Sequence, residues 1–195
     1  MTKNTFIIKR LTDNHKEAIL SHYKELDEES RYNRFCSSTN DSALMNHVSK
    51  IDTVNHGFFG VFNEDLHIVG LGECVFFSGK NQEKSIEAEV AFSILSSYQG
   101  CGLGNRLLQR LIRFAKINEV TKMHMYCLRN NNKVIHLCKK YGLQVEVNPY
   151  ESSAYLNILP EDIRKEDRME EIAEDILSEI AISKQRSLRF NTINK

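Results

Sequence analysis

Three glycines within six residues separate a β-rich stretch from the most regular helical pattern in the chain. The segment reads Gln99-Gly100-Cys101-Gly102-Leu103-Gly104. Behind it, apolar residues recur at helical spacing with arginines on the other side, namely Leu103, Leu107, Leu108, Leu111, Ile112 and Ala115 against Arg106, Arg110 and Arg113. A strand, a glycine loop and a helix in this order allow backbone N–H groups at the helix start to surround a phosphate. An ordinary turn before a tight helix start is the alternative.

Two familiar phosphate-binding loops do not fit this segment. The dinucleotide fingerprint Gly-x-Gly-x-x-Gly requires a glycine at the position that Asn105 occupies. The P-loop sequence Gly-x-x-x-x-Gly-Lys-Ser/Thr occurs nowhere in the chain. If this segment binds a phosphate, it therefore does so as a loop of another kind.

Hydrophobic patterning predicts a mixed α/β (α+β) fold. Strands are expected at 5–11, 58–62, 66–77, 85–95, 122–128, 143–147 and 154–159, and helices at 13–26, at 41–50, after the glycine segment and at 131–141. Polar turns at 63–65 and 78–81 join successive strands, which indicates antiparallel pairing. Gly142 is expected to end the helix before it.

Composition excludes several classes of partner. The 26 basic residues balance the 26 acidic ones, so no global positive field favours nucleic acid or an anionic membrane. No apolar run approaches a membrane span, and the first residues lack a signal-peptide core, which predicts a cytoplasmic protein. Five cysteines without a Cys-x-x-Cys pair, and seven scattered histidines, predict neither a disulfide framework nor a metal site.

The chain changes character after Pro160 and predicts a separate, charged C-terminal helix. Its apolar stripe comprises Met169, Ile172, Ala173, Ile176, Leu177 and Ile180. Acidic residues crowd its beginning and basic residues follow its end, a polarity that suits the helix dipole. Two alternatives remain open at this point: the stripe packs on its own domain, or it contacts a second copy or another partner.

The glycine segment and its surroundings resemble the GNAT superfamily of N-acetyltransferases. Gln99, Gly102 and Gly104 match the family's Gln/Arg-x-x-Gly-x-Gly/Ala signature, and residues 88–94 look like its fourth strand. Asn131, followed by a helix and Tyr141-Gly142-Leu143, is similar to the family's downstream segment. The resemblance implies a mostly antiparallel central sheet of six to seven strands flanked by helices. Residues 1–159 would form the acyl-CoA N-acyltransferase domain, and 160–195 a helical extension.

The resemblance also implies a cofactor site for acetyl-CoA as co-substrate. The pyrophosphate would lie on the amides of Gly100, Cys101, Gly102, Leu103, Gly104 and Asn105, after Gln99. Phe92, Ser93 and Ile94 would offer strand-edge groups to the pantetheine and thioester, and Ile94 with its neighbouring amide would polarise the carbonyl. Asn131 would contact the cofactor and Arg106 the adenosine phosphates. Arg110 and Arg113 are expected on a solvated helix face.

Catalysis requires a base that neutralises the acceptor amine. Glu89 lies ten residues before Gln99, where the resemblance implies a catalytic glutamate, and Glu87 on the same strand face is the spare. Many family members protonate the leaving thiolate with a tyrosine, but that position holds Cys138. Cys138 itself, Tyr141 or water would serve as the acid, or the thiolate would leave unprotonated. A buried, purely structural Cys138 is the alternative.

The acceptor amine is suggested by one run in the N-terminal third. Residues Glu29-Ser30-Arg31-Tyr32-Asn33-Arg34-Phe35 look like a run in acetyltransferase domains of bacterial protein lysine acetyltransferases. The structural interpretation is a helix-to-loop junction held by Arg31 and Arg34, with Tyr32 and Phe35 packed beneath. Three functions therefore stay open: a protein lysine acetyltransferase, a small-amine acetyltransferase, and a non-catalytic acyl-CoA-binding or regulatory module.

Overall fold

The computed structural model describes residues 6–78, 85–147, 151–159, 162 and 164–193. The strands are β1 Ile7–Arg10, β2 Gly57–Phe62, β3 Ile68–Ser78, β4 Ile86–Ile94, β5 Val120–Leu128, β6 Gln144–Val147 and β7 Glu151–Asn157. The helices are α1 Lys16–Glu25, α2 Glu28–Phe35, α3 Asp41–Ser49, α4 Leu103–Ile117, α5 Asn132–Lys140 and α6 Lys165–Ile193. Parts of three predicted features lie outside the described residues. They are the strand start at position 5, most of the loop at 78–81 and the helix start after Pro160.

Seven strands of the described chain form one mixed sheet in the order β1-β2-β3-β4-β5-β7-β6. Neighbouring strands pair antiparallel except β4 and β5, which run parallel. A parallel pair requires a crossover, and α4 supplies it because it joins the end of β4 to the start of β5. The predicted mostly antiparallel α/β fold with an additional C-terminal helix is confirmed.

The core lies between the sheet and the helices on its two faces. Leu107 and Leu111 of α4 pack over Gly72 of β3, the point where a Cβ would meet their methyl groups at 3.2–3.3 Å. On the other face α1 and α2 cover the sheet, α3 packs on α1, and the Tyr23 ring is fully buried there. The two faces explain the helical periodicities seen in the sequence, since each helix buries one apolar side.

The sequence patterns did not predict the short helix α2 as an element of its own. Residues 28–35 form α2, whose first turn is capped by Asp27, which accepts a 2.7 Å hydrogen bond from the amide of Ser30. Gly142 has φ +77° just after α5, and the Leu143 amide donates back to the Cys138 carbonyl at 3.0 Å, which confirms the predicted helix end. No helix in the described ranges is long and apolar enough to cross a membrane.

The C-terminal helix α6 lies along α4 and β1, and it corrects the expectation for two arginines. Arg110 is 2% exposed and Arg113 is 9% exposed, so neither lies on a solvated helix face. Arg110 binds Asp175 at 2.6 Å, and Arg113 binds Glu170 at 2.8 Å. Both guanidinium groups also contact Glu171 and Glu174. The periodicity correctly assigned the arginines to the side opposite the leucines, but that side faces another helix.

Candidate functional site

A groove of about 1280 Å³ opens where β4 and β5 separate. The two parallel strands pair from Ile86 with Val120 as far as Glu89 with His124, and both continue beyond that point without pairing each other. The α2 helix, the glycine segment and the start of α5 complete the walls of the groove. A separation of this kind leaves strand-edge backbone groups available to a ligand.

The backbone of β4 presents alternate residues to this groove. The Ile86 carbonyl accepts from Thr121 on the β5 side, whereas the Leu95 amide donates to Val69 on the β3 side at 2.9 Å. Because successive residues of a strand direct their backbone groups to opposite edges, Phe92 and Ile94 face the groove and Ser93 faces β3. Of the three residues expected at the strand edge, Phe92 and Ile94 therefore present their backbone to the groove. The amide after Ile94, that of Leu95, is bound to the Val69 carbonyl.

The glycine segment forms the end of the groove with its backbone exposed. Gly100 and Gly102 have φ +77° and +79°, and a Cβ at either would meet nothing within 4 Å. Gly102 is the residue before α4, so the amides that follow it belong to the first turn of the helix and have no partner within it. Gly104 lies under the Phe92 ring, where a Cβ would come within 3.2 Å of a ring carbon. This loop can receive an anion on backbone N–H groups.

Comparison with known proteins agrees with this geometry. The model of the Acetyltransferase (GNAT) family matches residues 18–143. The chain belongs to the GNAT acetyltransferase family. It is thus an acetyl-CoA-dependent N-acetyltransferase by family, and the resemblance recognised in the sequence is confirmed.

Solved structures with this GNAT fold include several bacterial proteins. The GNAT domain of S. lividans PAT superposes with a TM-score of 0.66 at 17% identity, covering 80% of this chain and 97% of that one. Ribosomal-protein-alanine N-acetyltransferase from Brucella melitensis gives 0.61 at 14% identity, with 78% and 99% covered. The yncA protein of Salmonella typhimurium, solved with its cofactor acetyl-CoA, gives 0.60 at 15% identity, with 80% and 95% covered. At these identities the likeness shows the fold.

Polar side chains close the GNAT groove around the glycine segment. The Gln99 amide nitrogen donates to the Ile94 carbonyl at 3.2 Å, and Lys133 donates to the Gln99 amide oxygen at 3.3 Å. Asn131 caps α5 by accepting from the Val134 amide at 3.3 Å, and it lines the groove. Gln99 and Asn131 therefore support the groove as well as facing it.

The predicted phosphate contact Arg106 does not line the groove, and other basic side chains do. Arg106 donates to the Phe6 carbonyl at 3.3 Å and is not among the groove-lining residues of the described chain, so its contact with phosphates stays a prediction. Lys133 and Arg129, which follow β5, line the groove instead. Neither residue was predicted from the sequence, although two basic residues flanking Asn131 were a usable signal of an anion site. Cys101 is exposed on the glycine loop.

Three titratable side chains meet where β4 and β5 stop pairing, on the face of the sheet that α1 and α2 cover, and none of them is among the residues that line the groove. Glu87 and Glu89 lie on the same face of β4, and Glu89 is exposed to solvent. His124 of β5 is the register partner of Glu89, and its Nε2 lies 2.6 Å from Oε2 of Glu87. Glu87 is therefore engaged by His124, while Glu89 remains the more accessible carboxylate. His124 was missed in the sequence because its partner is 37 residues away.

A buried charged cluster lies beside this face. Arg34 of α2 lines the groove and binds Glu73 of β3 at 2.6 Å, and the Tyr23 hydroxyl donates to the same carboxylate. Burial, together with the negative charge of Glu89, raises the pKa of Glu73 to about 8. Burial lowers the pKa of Arg34 to about 10, and attraction to Glu89 opposes that shift. Glu89, the candidate base, therefore interacts electrostatically with Arg34 of α2 and with Glu73.

The candidate acids do not line the groove. Cys138 is fully buried against Met125, and burial raises its pKa to about 12. The Tyr141 hydroxyl donates to the Asn105 carbonyl at 3.4 Å. Tyr32 corrects another expectation, because it is 47% exposed and lines the groove instead of packing beneath α2. Phe35 does pack as expected, with its ring 5.2 Å from that of Tyr23.

Proposed function

We propose that this GNAT acetyltransferase transfers an acetyl group from acetyl-CoA to a lysine amine of a protein by direct attack on the thioester. The observation that carries the proposal is the position of Glu89 in the last parallel pair of β4 and β5, two residues before Ala91, where the lining of the groove begins on β4. A thioester held between the two strand edges and a carboxylate on the acceptor face are the two requirements of this reaction. Acetyl-CoA supplies the activated acetyl group.

The cofactor side of the groove fits a pyrophosphate and a pantetheine. Gly102 and the first turn of α4 offer backbone amides, and Lys133 and Arg129 offer positive charge nearby. The backbone edge at Phe92 and Ile94, which β5 does not pair, suits an extended chain that carries amide groups, because a strand edge pairs with peptide-like groups. The Ile94 amide is the donor that we assign to the thioester carbonyl, since the following amide is bound to Val69.

The acceptor side supplies the proton acceptor. An amine arrives mainly as an ammonium ion near neutral pH and becomes nucleophilic only after it loses a proton. Glu89 takes this proton directly or through a water, the C–N bond forms, and the C–S bond breaks. The nitrogen loses its second proton to water as the amide forms, and the leaving thiolate takes a proton from water, since neither Cys138 nor Tyr141 lines the groove. Glu87 orients His124 and is the reserve carboxylate.

The α2 helix supports a peptide as the acceptor. It carries the run that resembles bacterial protein lysine acetyltransferases, and it forms one wall of the groove. Exposed Tyr32 offers an aromatic surface to an extended chain, and exposed Asp27 and Glu29 offer negative charge to an incoming cation. Peptides and small amines are distinguished by the acceptor panel of the test.

The test measures release of free CoA thiol with lysine peptides, polyamines and amino sugars. Wild type is compared with Glu89→Gln and with Glu146→Gln, a matched change at an exposed carboxylate of β6 away from the groove. We expect Glu89→Gln to lower kcat by about 100-fold or more, the usual scale for loss of a general base. Calorimetry should give the same acetyl-CoA dissociation constant for all three proteins.

Each outcome has a definite meaning. Turnover on peptides that collapses only in Glu89→Gln supports the lysine acetyltransferase, and turnover confined to small amines moves the acceptor to that class. Unchanged kcat in Glu89→Gln removes Glu89 from proton transfer and points to His124 with Glu87. Tight acetyl-CoA binding without turnover on any acceptor identifies a binding module and overturns the proposal.

A further inference from the structure

The C-terminal helix α6 is turned with its charged side inward and its apolar side outward. Its inward face carries Asp167, Glu171, Ser178 and Ile182, all of them buried. The opposite face carries an outward patch, Met169, Ile172, Ala173, Ile176, Leu177 and Ile180, whose five large side chains are 55–68% exposed. A helix on the surface of a globular protein normally shows the reverse arrangement. The structure therefore removes one of the two alternatives left by the sequence, since the stripe does not pack on its own domain.

Ionic contacts with the domain fix this orientation. Glu171 lies between the guanidinium groups of Arg110 and Arg113, and Lys9 of β1 binds Glu179 at 2.7 Å. Further along, the Gln185 amide donates to the Glu64 carbonyl at 2.6 Å. Rotating α6 to bury its apolar patch would break these contacts and leave two buried arginines without partners, which is strongly unfavourable. The apolar patch is thus a fixed feature of the surface.

We propose that the outward patch is the interface of a homodimer in which two α6 helices pack antiparallel about a two-fold axis. Side chains of this size, half to two-thirds exposed, present on the order of 500 Å² of apolar surface, the upper range for a monomer. Two copies would then remove roughly 1,000 Å² of apolar surface, which is about the minimum for a biological interface. A two-fold interface is self-complementary, which suits a short patch that can cover itself.

The helix dipole favours the antiparallel arrangement, because it places the positive N-terminal end of each α6 beside the negative C-terminal end of the partner. Glu170 of one copy then lies opposite Glu179 of the other, and Glu174 lies opposite Asp175. These carboxylates do not repel strongly across the interface, since each is paired with Lys9, Arg110 or Arg113 of its own chain. With the patches in register, Met169 of one copy lies opposite Ile180 of the other. No described residue of α6 lines the groove, so the groove stays accessible in this dimer.

The first experiment measures molar mass by light scattering after size-exclusion chromatography at about 50 µM, above the dissociation constant of a micromolar dimer. Wild type is compared with Ile176→Glu, in the centre of the patch, and with Val54→Glu, at a 77% exposed apolar residue outside it. We expect dimers for wild type and Val54→Glu, and a monomer with unchanged circular dichroism for Ile176→Glu. A monomeric wild type, or a dimer that persists in Ile176→Glu, overturns the proposal.

A second experiment reads the direction of the helices and does not rely on a destabilised variant. In a Cys101→Ser background, Met169→Cys and Ile180→Cys chains are mixed, denatured together, refolded and oxidised. The antiparallel dimer predicts disulfide-linked pairs between the two different chains, at least tenfold more abundant than pairs of identical chains. Predominant Met169→Cys pairs with themselves would show parallel helices, and absence of cross-linking would show that the patches do not meet.

Discussion

The Nε2 atom of His22 lies 2.8 Å from the Ser93 hydroxyl, and this contact joins α1 to the strand that lines the groove. The Nδ1 atom of the same ring is 3.0 Å from the Ile68 carbonyl. A carbonyl can only accept, so Nδ1 carries the proton and Nε2 accepts from Ser93. Burial lowers the pKa of His22 to about 4, which keeps the ring neutral and preserves this arrangement at neutral pH.

Stability is therefore expected to fall with acid in a window set by His22. Between pH 6.5 and about 4 the unfolded chain binds a proton at His22 and the folded chain does not, so the free energy of unfolding decreases as pH falls. Over the window this group accounts for about 3 kcal/mol. Urea unfolding of wild type and His22→Gln at several pH values measures it. The wild-type advantage should shrink towards pH 4, and a constant difference would contradict a neutral His22.

Gly102 should be sensitive to a side chain although space surrounds it. Its φ of +79° disfavours any residue with a Cβ, and asparagine tolerates this conformation better than alanine. Strain of about 1–2 kcal/mol that is relieved by moving the loop would weaken acetyl-CoA binding by about tenfold. Calorimetric titration should therefore rank the affinities wild type, Gly102→Asn, Gly102→Ala. Equal affinity for all three would show that the loop does not hold the cofactor.

Local patterns predicted most of the elements, because periodicity and glycine positions reflect contacts within one strand or helix. The start of α4 at Gly102 and the end of α5 near Gly142 are of this kind. The orientation of α6 could not be predicted, since its apolar stripe suggests burial, and only the distant Arg110 and Arg113 explain why its acidic side faces inward. Contacts between residues far apart in sequence carry no local signal.

The same limit applied to the candidate site. Glu89 was predicted from its distance to Gln99, a spacing within a single strand and loop. The pairing of Glu87 with His124 depends on the register of β4 and β5, which cannot be derived from local sequence patterns. Tyr32 was expected to pack beneath a helix-to-loop junction, yet α2 presents it to the groove. Assigning such residues requires knowing which helix covers which strand.

The contacts between α4 and α6 should contribute strongly to stability. Arg110→Met would leave Glu171 buried with one of its two cationic partners removed, at a cost of about 3 kcal/mol. Arg168→Met is the matched control, because Arg168 is exposed and its ion pair with Glu119 spans 3.6 Å, so its loss should cost less than about 1 kcal/mol. Chemical unfolding measures both variants. Equal effects would mean that the buried contacts contribute no more than a surface pair.

Reactivity of the cysteines offers a test of the groove that needs no acceptor. Cys101 is exposed on the glycine loop, whereas Cys74, Cys127 and Cys138 are buried. Burial raises the pKa of Cys74 and Cys138 to about 12 and that of Cys127 to about 11, so these thiols stay protonated and unreactive. Under native conditions at pH 8, iodoacetamide should modify Cys101 well before the three buried thiols, as followed by peptide mass spectrometry.

Acetyl-CoA should then protect Cys101, because the proposed pyrophosphate site places the ligand against the amides on either side of it. We expect at least a fivefold slower modification of Cys101 at saturating acetyl-CoA, and no change with an equal concentration of sodium phosphate. Cys74, which is buried and is not among the groove-lining residues, provides the internal control, because its slow labelling reports opening of the fold. Protection of both thiols would indicate a general tightening of the fold, and protection of neither would place the cofactor away from the glycine loop.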